Sequence, residues 1–115
     1  MAFYSENLPR LFSEKITAVF AVSDHYALEF MRFLQGQGIR VPEDVQIIGF
    51  DDTLASRESV PALTTIHQDA ALRARTAIRR RLEALRDGTP CDAGIVLPVE
   101  LVERESTRRL PCQTL

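Results

Sequence analysis

This sequence predicts an α/β fold, a parallel sheet with flanking helices, from three observations. Two short apolar runs rich in β-branched residues, Ile16–Val22 and Val45–Gly49, have the length and composition of strands buried on both faces. A segment with helical apolar spacing lies between them. Strand, helix and strand over about 30 residues make a βαβ unit, whose strands run parallel with a right-handed crossover. Their carboxyl ends then share one edge, which brings Ser23, Asp24, Asp51 and Asp52 together. Ligands bind at that edge of an open α/β sheet. The adjacent acids Asp51 and Asp52 repel each other there. A polyol, a cation, an arginine or a following helix N-terminus would offset the repulsion.

In chain order, Leu8, Leu11 and Phe12 form one apolar face of a short helix, with Pro9 tolerated near its start. After the first strand, Ser23 or Asp24 caps a helix that runs to about Gln37 and stops at Gly38. Its apolar set, Ala27, Leu28, Phe30, Met31, Phe33 and Leu34, is wider than one core-facing stripe. Two explanations stand: burial on two sides within the domain, or a subunit interface. Arg40–Asp44 is a turn into the second strand. Leu63–His67 is a third extended piece, Asp69 an N-cap, and Ala70–Asp87 a second helix ended by Gly88. That helix has a core stripe of Ala71, Ala74, Ile78, Leu82 and Leu85. Ile95–Leu97 and Val99–Val102 are extended, divided by Pro98, and the polar tail from Ser106 frays.

Composition narrows the function. A chain of 115 residues with 45% apolar content suits one modest core. A net charge of −2 makes no general electrostatic case for nucleic acid or an anionic membrane. No apolar run reaches the roughly 20 residues of a membrane span. The first residues lack the basic-then-apolar layout of a signal peptide. Cys91 and Cys112, in a loop and a tail, read as free thiols of a reducing compartment, so cytoplasm is the expected location.

The inventory of reactive side chains is thin. Asp24 reads as a cap, and Asp51 and Asp52 as either a capping pair or ligand contacts. A phosphoryl-transfer acid cluster would recruit a lysine at the same edge, yet Lys15 precedes the first strand. His25 and His67 lack a second His or Cys at metal-binding spacing, and no serine has a base partner. Neither an enzyme, a bound metal nor a cofactor is expected. Arginines 73, 75, 79, 80, 81 and 86 spread around the second helix, as on a solvated face. No sequence-reading nucleic-acid motif is present.

Taken in order, the segments Ala18–Asp24, Gly38–Val45, Ile48–Asp52, Pro61–Gln68 and Leu97–Val102, with Arg104 and Ser106–Thr107, resemble the LacI/GalR family of bacterial transcriptional repressors. The resemblance runs from about Ile16 to Thr107. It implies the C-terminal part of an effector-binding domain of the two-lobed, periplasmic-binding-protein-like type I fold, residues 1–107, followed by a polar tail, 108–115. It places the first helix in the C-terminal lobe and the second helix in the other lobe, reached near Thr65–Gln68 and left through Ile95–Pro98. By resemblance, Ser23, Asp51 and Gln68 contact a small-molecule effector, a sugar or other metabolite. Ser23 stands where the family usually has Asn, which shortens the side chain and removes an amide. Leu28, Met31, Arg32 and Gln35, with Ser59 in the segment after the paired acids, are the implied homodimer interface. DNA would be contacted only through a headpiece outside these residues. The alternative is a ligand-free dimerisation or interaction module from a truncated gene.

Overall fold

The computed structural model describes residues 2–90 and 94–111; Cys91 and Cys112 lie outside them. The described elements are α1 (Ala2–Ser13), β1 (Ala18–Phe20), α2 (Asp24–Gly36), β2 (Gln46–Ile48), α3 (Leu54–Glu58), β3 (Thr65–Gln68), α4 (Ala70–Asp87) and β4 (Val99–Val102). The chain divides into two compact units, Met1–His67 with Leu101–Leu115, and Gln68–Glu100.

The first unit is built on the predicted βαβ crossover. β1 and β2 pair in parallel with Ala18 opposite Gln46, Val19 opposite Ile47 and Phe20 opposite Ile48. Thr64 continues the sheet through a parallel bridge to Ile48. The core is Ala27, Leu28, Phe30, Met31, Leu34, Val41, Val45, Ile47 and Leu63, all buried. Five of these belong to α2, so much of its apolar face is buried within the chain. Ser23 caps α2, and Gly38 adopts φ 77 just beyond it, a conformation that glycine reaches without Cβ strain.

Several expectations need correction. The first strand is three residues long and is not buried on both faces: Phe20 is 63% exposed and Val22 78%. β2 pairs on one side of β1, and the described residues put no strand on the other, so these side chains keep water contact. α1 runs straight through Pro9 rather than beginning beside it. Its inward face is Tyr4, Leu8 and Leu11, whereas Phe12 points outward. Tyr4 replaces it, with its ring 5.3 Å from Phe30 and 5.5 Å from Phe33. The tail does not fray at Ser106, which is fully buried. Its hydroxyl donates to the Ile47 carbonyl at 2.6 Å and accepts from the Thr64 amide at 2.8 Å. Its carbonyl accepts from the Ile47 amide at 3.0 Å. A short polar side chain thus completes the main-chain bonding of a buried strand.

In the second unit, α4 has the predicted bounds. Asp69 accepts from the Leu72 amide at 2.9 Å, and Gly88 closes the helix in the left-handed region at φ 65. The expected core stripe is on the surface instead, with Ile78 62%, Leu82 56% and Leu85 62% exposed. The third extended piece is shifted to Thr65–Gln68; β3 and β4, which both cross the points where the units divide, form a two-stranded sheet.

Candidate functional site

The turn after β2 is where backbone geometry and charge converge. Gly49 has to be glycine. A Cβ there would lie 2.3 Å from Oδ1 of Asp24 and 2.9 Å from Cδ2 of Leu63. That close approach lets the Asp24 amide donate to the Phe50 carbonyl at 2.8 Å. The start of α2 is thereby joined to the end of β2, as the crossover topology requires.

Asp24 is not the cap of its own helix. It is fully buried, and its carboxylate accepts from the Thr53 amide at 2.7 Å, the Thr53 hydroxyl at 3.0 Å and the Thr65 hydroxyl at 2.5 Å. Three donors from two other segments satisfy a charge that would otherwise be costly to bury. Nor do the paired acids cap the next helix; Thr53 caps α3, accepting from the Ser56 amide at 3.3 Å.

Asp51 and Asp52 have separate environments. Both occupy positive φ, 116 and 55 respectively, a region that L-residues enter at some cost and acidic residues more readily than most. Asp52 turns inward, its side chain 6% exposed, between Arg104, Arg57 at 3.1 Å and the Nδ1 of His67 at 2.9 Å. Burial pushes its pKa up, but hydrogen bonds from Arg104, Arg57 and His67 outweigh it and hold the carboxyl at about 2. Arginine, one of the four ways of offsetting the acidic pair, is used at Asp52. Arg104 reaches further, donating to the Ser56 hydroxyl at 2.9 Å and the Leu63 carbonyl at 3.0 Å. Asp51 is exposed, and its amide donates to the Ile66 carbonyl at 3.0 Å. A carboxylate is thus displayed at the carboxyl edge of the sheet on a backbone fixed from both sides.

Ser23 lies at the same edge, half-buried. Its hydroxyl oxygen accepts from the Tyr26 amide at 3.4 Å, which leaves the hydroxyl proton to be donated. Gln68 begins the second unit. Its Oε1 accepts from Nη1 of Arg73 at 2.7 Å. Of the residues implied as an interface, Leu28 and Met31 are buried in the first unit's core, while Arg32 and Gln35 are exposed. The Ser59 hydroxyl bonds the carbonyls of Ser56 and Pro61. A groove of about 380 Å³ runs beside these helices, lined by His25, Leu28, Glu29, Arg32, Thr53 and Ala55.

Sequence reasoning missed Thr53, Thr65 and Arg57 as supports of the turn, and took Arg104 and Ser106 only as parts of a motif. One signal was available: two buried-strand acids followed at a distance by an isolated Arg-x-Ser. Among the described residues no group of three or more His, Cys, Asp or Glu is arranged to hold a metal ion. No helix there is long and apolar enough to cross a membrane.

Comparison with known proteins bears on the family and the fold. The model of the periplasmic binding protein-like domain family matches residues 2–107. The lactose operon repressor of Escherichia coli (strain K12) is 39% identical over 98 residues, 85% of this chain and 27% of that protein. The HTH-type transcriptional repressor PurR of Haemophilus influenzae is 40% identical over 104 residues, 87% of this chain and 31% of that protein. The structure of a transcriptional regulator CelR–cellobiose complex matches with a TM-score of 0.80 at 34% identity, covering 91% of this chain and 32% of that one. A LacI family transcriptional regulator from Enterococcus faecalis V583 with bound ribose matches at 0.79 and 32%, covering 92% and 40%. The chain therefore spans less than half the length of each of these relatives.

Proposed function

The chain belongs to the LacI family of transcriptional regulators, as part of the periplasmic-binding-protein-like effector domain, and on that premise we propose that it senses a small polyhydroxylated effector. In the complete repressor this part would regulate DNA binding by a headpiece outside these residues, in the cytoplasm and without catalysis. The observation that carries the reading is the exposed Asp51 at the sheet edge, whose amide donates to the Ile66 carbonyl at 3.0 Å and whose neighbour Asp52 is tied to Arg104. An exposed carboxylate suits the hydroxyls of a sugar, because a charged acceptor makes strong hydrogen bonds with them. In this reading Ser23 donates its hydroxyl proton to a sugar oxygen, and Gln68 remains a contact that the family resemblance implies. Cellobiose and ribose in the two structural relatives support sugars as the first compounds to try.

A sugar panel followed by thermal unfolding tests it. A ligand bound only by the native state raises the melting temperature by mass action. A flat response across hexoses, pentoses and disaccharides at millimolar concentration would refute the reading.

The same domain would form a homodimer through α2 and the α3 segment, residues 1–107 acting as the folded module and 108–115 as its tail. The groove beside Arg32 and the exposed pair Arg32 and Gln35 support this, as does the dimeric Lac repressor among the structural relatives. Leu28 and Met31 contribute from below that surface.

A further inference from the structure

Resting on the homodimer reading above, we infer that two copies of this chain select each other through a reciprocal pair of ion pairs, Glu29 of each protomer with Arg32 of the partner subunit. The starting point is two opposite charges that stay apart. Glu29 and Arg32 are three residues apart on α2, near enough to meet along one helix face. Exposed acids and bases at similar spacing elsewhere do close, Arg10 on Glu14 at 3.4 Å and Arg40 on Asp44 at 3.0 Å. The side chains of Glu29 and Arg32 make no hydrogen bond or ion pair among the described residues. Both line the groove of about 380 Å³ that α2 forms with the start of α3, all of it within the first unit. Glu29 is half-buried there and Arg32 exposed.

The groove has an apolar border. Leu54, between the lining residues Thr53 and Ala55, is 67% exposed, and Val60 is 84% exposed. Gln35 ties Val60 to α2, its Nε2 donating to the Val60 carbonyl at 3.0 Å. An occupant of this face has to cover apolar surface and offer a base to Glu29 and an acid to Arg32. The chain's own α2 and α3 offer that set. Across a two-fold axis normal to α2 the two helices run antiparallel, and residues equally far from the axis meet. With the axis midway between Glu29 and Arg32, each acid faces the other copy's arginine. One surface thereby makes two ion pairs. A slip in register loses both pairs, and a partner with like charges at these positions is repelled, so the pairs set register and partner choice more than raw affinity.

Sedimentation equilibrium of the whole chain with complementary charge reversals tests this. Glu29→Arg carries two bases on the face and Arg32→Glu two acids. Each alone should weaken dimerisation at least about tenfold, because symmetry repeats the repulsion. An equimolar mixture of the two variants should restore dimers, and so should the doubly exchanged chain Glu29→Arg/Arg32→Glu. If the wild type dimerises but neither reversal weakens it, or the mixture dimerises no better than its components, the ion-pair inference fails and the homodimer reading stands. Charges that only solvate α2, or that pair within one chain, would give that second result. If the wild type stays monomeric at every concentration, both readings fall together. Should a reversal unfold the chain, Glu29→Gln/Arg32→Gln is read instead. It should remove the weakening of the wild-type dimer by salt, and a retained salt dependence overturns the inference.

Discussion

Replacing Gly49 by alanine is the smallest change that tests how the sheet edge is built. The new methyl would lie 2.3 Å from Oδ1 of Asp24, 2.9 Å from Cδ2 of Leu63 and 3.2 Å from Cα of Asp24. The last contact is to backbone and the first to a fully buried carboxylate, so neither can simply swing into solvent. Overpacking of this kind costs about 1–3 kcal/mol. If Asp24 yields, its bonds to Thr53 and Thr65 are strained as well, each charged hydrogen bond contributing about 1.5–3 kcal/mol. Against this, alanine restricts the unfolded chain and returns roughly 0.4–1 kcal/mol. The net expectation is a loss of about 3–5 kcal/mol, a large part of a domain's typical stability of about 5–15 kcal/mol. Urea unfolding followed by circular dichroism measures it. Gly36→Ala is the control, since nothing lies within 4 Å of a Cβ there, and it should be neutral or slightly stabilising. A loss below about 1 kcal/mol for Gly49→Ala would refute the close approach of Asp24 to β2 on which the site's geometry depends.

Three further outcomes are expected. Asp52 has a folded pKa of about 2 against 3.8 for the free group; a depressed carboxyl stabilises the fold above the unfolded value and ceases to do so as pH falls through the folded one. Stability should thus drop by about 2 kcal/mol between pH 4 and pH 2, and Asp52→Asn should remove that slope in acid-unfolding titrations. Ser106→Ala leaves the Thr64 amide and Ile47 carbonyl short of a partner in a fully buried place; a loss of about 1–3 kcal/mol with faster amide exchange at Thr64 is expected, and unchanged exchange would show that the segment is not anchored there. Arg32→Glu places a carboxylate on the proposed two-fold face, where symmetry makes it act twice; sedimentation should show a weaker dimer than wild type, and identical profiles would remove Arg32 from the interface.

Much of the first unit was legible because its signals are local. The βαβ crossover follows from two apolar runs and one amphipathic segment, and the caps at Ser23, Asp69, Gly38 and Gly88 come from residue types with strong positional preferences. Asp51 was singled out by its place after a strand. What stayed hidden depends on partners distant in sequence. Asp24 looks like a cap until Thr53 and Thr65 are brought to it, 29 and 41 residues away. Asp52 looks equivalent to Asp51 until Arg104, 52 residues on, claims it. Ser106 reads as a polar tail because pattern reasoning scores it by polarity, not by the strand bonds it completes. The exposure of Phe20, Val22 and the α4 stripe was misjudged because periodicity identifies a face that seeks burial but not what covers it.

The central claim, that this sheet edge binds a hydroxyl-bearing effector through Asp51, is tested most directly by one comparison. Take the sugar that most raises the melting temperature of the wild-type chain, and measure its affinity for Asp51→Ala by calorimetry. Asp51 is exposed, so the substitution should leave the ligand-free melting temperature within a few degrees of wild type. The account predicts a loss of about 1.5–3 kcal/mol in binding, roughly ten- to a hundredfold, the range for hydrogen bonds to a charged group. Undiminished affinity in an intact Asp51→Ala chain would contradict it.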